Sequence, residues 1–162
     1  MRWRVLLCAV TLAGCAASSA SAPSAIAPPG PAKDPLPVSS ASNYTVQPQP
    51  PPGSCHSRGS GLYTLPDPHC TPGAVSPAVS QSNLDSTICR SGYTRGVRPP
   101  ERISEAEKRR SLDSYGDRGP LSDYEYDHLV PLELGGATND PRNLWPEPGR
   151  TPNPKDELER RL

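Results

Sequence analysis

The chain has 162 residues with 17 basic and 17 acidic side chains, 23 prolines and no phenylalanine. That length suits one domain, and a neutral chain lacks the charge of a tight, nonspecific polyanion binder. From His69 onward, 13 Lys and Arg stand against 15 Asp and Glu, so the C-terminal part is slightly acidic. Chemistry on a polyanion would therefore require local positive charge or a bound metal.

The N-terminus has the pattern of an export signal. Arg2 and Arg4 precede a short apolar run over residues 5–13. That run is too short to span a bilayer as a stable helix. It ends in "LAGC", residues 12–15, which resembles the lipobox of bacterial lipoproteins.

The lipobox resemblance implies a signal peptide over residues 1–14 and lipidation of Cys15. The mature protein would then be a cell-envelope lipoprotein, held to a membrane at its outer face or in the periplasm. The alternative is an ordinary secretory signal cut after "SASA", residues 19–22, which would give a secreted protein. Both interpretations predict export.

A proline-rich segment follows the export signal. Twelve of the 23 prolines lie between Pro23 and Pro68, among few apolar residues. Such a segment cannot bury enough surface to offset its chain entropy. The sequence therefore predicts a disordered, polyproline-like linker over residues 15–68 and a folded domain over residues 69–162.

Three cysteines follow the lipobox, and an oxidising compartment favours a disulfide between two of them. A bond between Cys70 and Cys89 would staple the start of the domain and is the pairing we expect. A bond between Cys55 and Cys70 would close a linker loop and is the alternative. No CxxC or Cys/His cluster is present, so a structural zinc is not expected.

The first helix of the domain is predicted over residues 76–89, because Ser76 and Pro77 form a helix-start signal. A second helix is predicted over residues 104–115. Ser104 and Glu107 match a capping box, and Gly116 is placed to cap the C-terminus. Glu105 and Arg109 are spaced for an i, i+4 ion pair.

The segment after the second helix predicts two short extended pieces. Residues 126–134 suit a half-buried strand, interrupted by Pro131 and therefore not central in a sheet. Gly135 and Gly136 form a turn, and "NLW", residues 143–145, is the second piece.

The last predicted helix begins with Asn153 at the N-cap, Pro154 at the first helical position and Asp156 at the third. It would run to Leu162. It is shorter than a typical helix, so the alternatives are a short helix and a chain that continues beyond Leu162.

The run "DHLVPLELGGATNDPRNLWP", residues 127–146, resembles the core of the HNH endonucleases. The pieces "STIC", "GYT", "VRPP" and "NPKDELE" add a resemblance to small exported bacterial HNH-like proteins. The resemblance covers about the last 90 residues. It implies an α+β fold, with a small ββα-metal core preceded by short helices and by the proline-rich linker.

The resemblance also implies roles for individual residues. His128 would be the general base that activates water, since an imidazole titrates near working pH. Asp127 would bind Mg²⁺ or Mn²⁺ through a hard carboxylate oxygen. Asn143 would tie the loop together and orient the base.

The second metal ligand is usually a histidine on the helix, but the three histidines of this chain are at positions 56, 69 and 128. Asn153 is the nearest equivalent, and it has an equally good explanation as an N-cap. Asp156 is the fallback ligand. Arg142 and Arg150 flank the segment, and solvent exposure is expected for both ahead of phosphate contact.

The sequence thus predicts an exported, membrane-tethered, metal-dependent endonuclease. Its substrate would be nucleic acid, with DNA favoured, and no protein partner is implied. The alternative is an HNH-like binding or structural module of the cell envelope without catalysis. A hydrolase working through Glu125 and Asp127 as paired carboxylates ranks last, because their spacing in the fold is not given by the sequence.

Overall fold

A computed structural model describes residues 44–161 of the chain. The predicted signal peptide, the predicted lipidation site Cys15 and the predicted linker up to residue 43 lie outside these residues. Within the described part, no helix combines the length and apolar composition needed to cross a membrane.

Helices and a two-stranded antiparallel sheet make up the regular structure of the described residues. The elements are α1 (Tyr93–Val97), α2 (Glu101–Tyr115), β1 (Tyr124–His128), β2 (Leu144–Pro148) and α3 (Pro154–Glu159), with short 3₁₀ turns at Gly61–Tyr63, Gln81–Ser86, Leu121–Asp123 and Leu132–Leu134.

The first predicted helix and the first predicted strand differ from the structure, and α3 ends at Glu159, before the predicted end at Leu162. In place of a helix over residues 76–89 there is a 3₁₀ segment, Gln81–Ser86, interrupted by non-helical Asn83. The predicted strand over residues 126–134 ends at His128. Pro131 has no N–H to donate to a ladder, so the chain turns away before it.

The hairpin of β1 and β2 fixes the positions of the acidic and aromatic residues. Asp127 is opposite Trp145, and His128 is opposite Leu144. Successive side chains of a strand point to opposite faces, so Asp127 and His128 lie on different sides of the sheet. The two predicted site residues are therefore adjacent in sequence but face different surroundings.

Helix α2 starts earlier than predicted. It begins at Glu101 with Pro100 as its N-cap, and the Ser104 hydroxyl bonds back to the Glu101 carbonyl at 3.1 Å. The predicted Ser104–Glu107 capping box is therefore wrong, because Pro100 already sets the helical entry. The predicted end is confirmed, since Gly116 adopts the left-handed conformation of a C-cap, φ 72°.

The surface of α2 is consistent with the predicted charge pairing. Arg109 Nη2 lies 3.8 Å from Glu105 Oε2. The buried face of the helix is more polar than expected and contains Glu107, Ser111 and Ser114 beside Ile103 and Leu112. Buried polar side chains require hydrogen-bond partners.

The partners come from residues 44–55, which we call the strap. Gln47 N donates to Glu107 Oε1 at 2.7 Å, and Ser114 Oγ donates to the Pro50 carbonyl at 2.5 Å. Gly53 N bonds the Asp113 carbonyl at 2.8 Å at the C-terminal end of α2. The backbone N–H and C=O groups of the strap thereby satisfy the buried polar groups of α2.

The prediction of a disordered linker is consequently wrong for residues 44–68. Tyr44 is buried, and its hydroxyl bonds the Val97 carbonyl at 2.5 Å. Cys55 is fully buried and Cys55 N donates to the Ser114 carbonyl at 3.0 Å. Prolines restrict the unfolded chain of this segment, so that less entropy is lost when it packs.

The disulfide joins Cys55 to Cys70 and not Cys70 to Cys89. Cys89 is an exposed free thiol, three residues after the Gln81–Ser86 turn in the sequence. Asp67 helps to shape the loop between the bonded cysteines, because its carboxylate accepts His56 N at 2.7 Å and His69 N at 2.8 Å. The disulfide therefore fastens the strap to the domain.

A small core lies between α2 and the sheet, as the contacts of α2 with both strands show. Its buried apolar side chains include Ile103, Leu112, Leu132, Leu144 and Trp145. The ring of Trp145 packs on Tyr115, with 6.3 Å between centroids. Burial of these side chains drives the helix onto the hairpin.

Glu107 makes the stability of the domain depend on pH. It is 1% exposed, its Oε2 has no partner among the described residues, and burial raises its pKa from 4.5 to about 7. The native state keeps this proton at a pH where the unfolded chain has lost it. The free energy of unfolding contributed by Glu107 therefore falls as pH rises from 4.5 to 7.

We expect Glu107→Gln to gain stability relative to the wild type as pH rises, because glutamine keeps an acceptor for Gln47 N and carries no charge. The relative gain between pH 5 and pH 8 should be roughly 1 to 3 kcal/mol, measured by urea unfolding at both pH values. Glu105→Gln is the control, since that residue is exposed and should change stability little at either pH. Parallel pH profiles for Glu107→Gln and the wild type would contradict the prediction.

Candidate functional site

The side chain of Asn143 holds the loop between the two strands. It is fully buried, and its Oδ1 accepts Val130 N at 2.9 Å. Its Nδ2 donates to the carbonyls of Val130 at 3.1 Å and Ala137 at 3.0 Å. A side-chain amide offers the donors and acceptors for these bonds in one planar group. This is the loop-holding contact predicted for Asn143.

Gly136 is required where the loop closes on itself. A Cβ at this position would lie 1.9 Å from the Val130 carbonyl oxygen and 2.9 Å from Asn143 Nδ2. Both neighbours belong to the hydrogen-bonded loop, so neither yields cheaply. The Gly-Gly pair of the sequence is thus explained by close backbone approach and not by a turn alone.

His128 ends β1 with its ring buried. The side chain lies in the wall of a cavity of about 290 Å³ that Tyr126 and Glu107 also line. Its Nε2 is 3.2 Å from the Thr138 carbonyl oxygen. Since a carbonyl only accepts, this nitrogen carries the proton, and Nδ1 is left with the lone pair.

The environment keeps the His128 ring neutral. Burial lowers its pKa to about 4. The nearby charges of Arg98 and Lys155 also lower the pKa, whereas the hydrogen bond to the Thr138 carbonyl raises it. A neutral imidazole at working pH can accept a proton. Thr138 follows Ala137, whose carbonyl accepts Asn143 Nδ2, so the two predicted residues bind adjacent carbonyls of the same loop.

Asp127 faces helix α3. It is buried, and its Oδ2 forms an ion pair with Lys155 Nζ. Lys155 Nζ also lies 2.6 Å from Glu159 Oε1 and 3.0 Å from the His128 carbonyl oxygen. Lys155 was not among the predicted site residues. The i, i+4 spacing of Lys155 and Glu159 was visible, but their position opposite Asp127 was not.

Asn153 caps α3 as predicted. Its Oδ1 accepts Lys155 N at 2.8 Å and Asp156 N at 3.3 Å, and Asp156 Oδ2 accepts Asn153 N at 2.8 Å. Its Nδ2 donates to Glu125 Oε2 at 2.9 Å. The side chain is thus bonded at both ends, to the helix and to β1.

More carboxyl groups crowd the face of the sheet that carries Asp127. Burial, together with contact with Asp127, raises the pKa of Glu147 to about 8. Burial and the charges of Asp156 and Asp127 also raise the pKa of Glu125. Glu147 Oε2 is buried and has no hydrogen-bond partner in the described part of the chain. Lys155 is the cation within this group.

The residues predicted as metal ligands do not fit a divalent ion in this arrangement. The Asp127 carboxylate is paired with an ammonium group, and Asn153 Oδ1 is committed to the helix cap. Over residues 44–161, no three or more His, Cys, Asp or Glu side chains are grouped to hold a metal ion. Asp156, the fallback ligand, bonds the backbone of Asn153.

The arginines differ in their availability to a ligand. Arg142 pairs with Asp140 at 2.6 Å, and Arg150 lies 3.5 Å from Asp123 with its side chain 79% exposed. Arg98 was not singled out from the sequence. It is exposed, lines the cavity beside His128 and forms no hydrogen bond or ion pair to any residue the structure describes. Only its position in the fold distinguishes Arg98 from the other arginines, and no sequence pattern indicated it.

Comparison with known proteins adds no relative, because no family model, curated protein or solved structure matches the chain.

We expect Asn143→Ala to destabilise the domain by at least about 3 kcal/mol, because it leaves the Val130 and Ala137 groups buried without partners. Urea unfolding measures the loss. Asn139→Ala is the matched control. Asn139 is half-buried, its Nδ2 donates to the Thr45 carbonyl at 3.0 Å, and its side chain also interacts with the Glu107 carboxylate, so a smaller loss of about 1 to 2 kcal/mol is expected. Equal losses for the two variants would show that Asn143 does not hold the loop.

Proposed function

We propose that the domain is an HNH-like endonuclease that hydrolyses phosphodiester bonds of nucleic acid, with DNA as the favoured substrate. The protein would be exported and held at the cell envelope through Cys15. The observation that carries the activity is the contact between His128 Nε2 and the Thr138 carbonyl, made on a loop held by Asn143. It supports His128 as a base with a fixed tautomer and a free lone pair.

In the proposed reaction, His128 Nδ1 takes a proton from a water molecule as the water oxygen attacks phosphorus. The bond from phosphorus to the leaving oxygen breaks, and that oxygen takes a proton from solvent. The low pKa of His128 keeps the base unprotonated throughout the neutral range, although it also makes the base weak. Holding water and phosphate in line must supply much of the acceleration.

Arg98 is the proposed phosphate contact. It lines the His128 cavity and a second cavity of about 300 Å³ beside Asp156, Glu159 and Arg160. A guanidinium offers paired N–H donors that match two phosphate oxygens. Because the domain is acidic overall, local cationic groups of this kind would have to provide the attraction for nucleic acid.

A second candidate function is an HNH-like binding or structural module without turnover. The ion pair between Lys155 and Asp127 favours it, because this pair occupies the carboxylate that the family resemblance assigns to the metal. The same cavity and the same Arg98 would then bind a ligand without hydrolysing it. Loss of hydrolysis with a preserved fold separates this module from the nuclease.

For the nuclease, His128→Ala should lower the rate of supercoiled-plasmid nicking at least about 100-fold, since the base is removed. His69→Ala is the control, because that residue is exposed and distant in role. Circular dichroism would establish that both variants are folded. Absence of cleavage of plasmid, single-stranded DNA and RNA by the folded wild type would contradict the nuclease and leave the module.

Arg98→Gln should raise KM for an oligonucleotide roughly tenfold while kcat changes less, if Arg98 contributes mainly to binding the phosphate before reaction. Arg95→Gln, an exposed charge on α1, should leave both constants close to those of the wild type. Similar kinetic constants for the two variants would exclude Arg98 as the phosphate contact while leaving the role of His128 intact.

A further inference from the structure

The ammonium group of Lys155 has the surroundings of a bound cation. Three oxygen atoms from three residues surround it: Asp127 Oδ2, Glu159 Oε1 at 2.6 Å and the His128 carbonyl at 3.0 Å. The ammonium group donates hydrogen bonds to Asp127 Oδ2 and the His128 carbonyl, and Glu159 Oε1 adds a second carboxylate at ion-pair distance. Two of the three are carboxylate oxygens, the ligands that hard metal ions also prefer.

The backbone around Lys155 keeps the side chain in place. Lys155 is the second residue of α3, and its N–H donates to the capping oxygen Asn153 Oδ1 at 2.8 Å. The same cap is tied to β1 through Asn153 Nδ2 and Glu125. The start of α3 is therefore fixed against the strand that carries Asp127. From this position the Lys155 side chain reaches the Asp127 carboxylate without any movement of the backbone.

Charge balance at this position depends on Lys155. Asp127 and Glu159 side chains are 7% and 12% exposed, so water screens their negative charges poorly. A buried carboxylate without a counter-charge is costly. Lys108, the other lysine among the described residues, is half-buried and forms no ion pair there, and therefore cannot replace it.

We propose that Lys155 is the resident cation of this carboxylate group and takes the place of a divalent metal ion. The native chain would then bind no Mg²⁺ or Mn²⁺ at Asp127, whereas a chain without the ammonium would acquire one divalent site there. This goes beyond the proposed function, because it assigns the cation of the site and is tested by ion binding.

The test is Mn²⁺ titration of the full chain by isothermal calorimetry. The wild type should show no saturable site up to about 10 mM Mn²⁺. Lys155→Met should show one site with a Kd of about 1 mM or lower. The double variant Lys155→Met, Asp127→Asn should lose the site. Lys108→Met, which removes a lysine that forms no ion pair with Asp127 or Glu159, should behave as the wild type.

Two results would overturn the proposal. One is a saturable Mn²⁺ site in the wild type that disappears in Asp127→Asn, which needs no Lys155 variant and so decides the matter even if Lys155→Met does not fold. The other is a folded Lys155→Met, by circular dichroism, without a Mn²⁺ site. A wild type without the site together with a Lys155→Met that gains it sustains the proposal.

Cleavage assays separate this proposal from the nuclease. Nicking by the wild type that persists in excess EDTA and is lost in His128→Ala sustains both. Nicking that requires Mn²⁺ and is lost in Asp127→Asn overturns the role of Lys155 and leaves that of His128. No nicking under any condition contradicts the nuclease alone, because the calorimetric result still decides the identity of the cation.

Discussion

The amide of Asn143 is the contact on which the candidate site depends. From the position just before β2 it binds backbone groups near the start and in the middle of the loop, at Val130 and Ala137. Ala74 N also lies 3.4 Å from its Oδ1, which connects the segment before α1 to the same point. By binding the Ala137 carbonyl, this side chain helps to position the adjacent Thr138 carbonyl, the acceptor that sets the tautomer of the His128 ring. One buried side chain thus couples the path of a loop to the protonation of a base on the neighbouring strand.

The two faces of the hairpin have opposite electrostatic character. On one face, burial keeps the His128 ring neutral. On the other, carboxyl groups accumulate around Asp127, and protonation of Glu147 together with the charge of Lys155 limits the repulsion. The strand alternation that separates Asp127 from His128 lets a neutral base and an anionic group coexist one residue apart.

Local signals were readable from the sequence, and contacts between distant segments were not. Asn153 as a cap and Gly116 as a helix end were predictable, because capping depends on neighbours a few residues away. The holding role of Asn143 came from the motif and agrees with its hydrogen bonds. The position of Lys155 against Asp127 depends on how α3 docks, which no local pattern encodes.

The strap was misjudged for a physical reason. Proline-rich composition indicates a chain that cannot build a core of its own, and residues 44–55 indeed contribute few apolar side chains beyond Tyr44 and Cys55. They fold because α2 offers polar partners for their backbone, chiefly Glu107 and Ser114. From the sequence alone, a buried glutamate on a helix cannot be distinguished from an exposed one, because its partner lies on a distant segment. The predicted disulfide was wrong for the same reason, because Cys55 was assigned to the linker and not to the domain.

The strap also determines how the domain would respond to a mechanical load. A pull on the chain ahead of Tyr44 meets first the Tyr44 hydroxyl bonds to Val97 and Thr138, then the Gln47 bond to Glu107. These bonds would break one after another, as in peeling, and each is weak alone. Peeling stops at Cys55, where the disulfide to Cys70 transfers the load to the rest of the domain. Under such a load the strap would extend while α2, the sheet and His128 remain assembled.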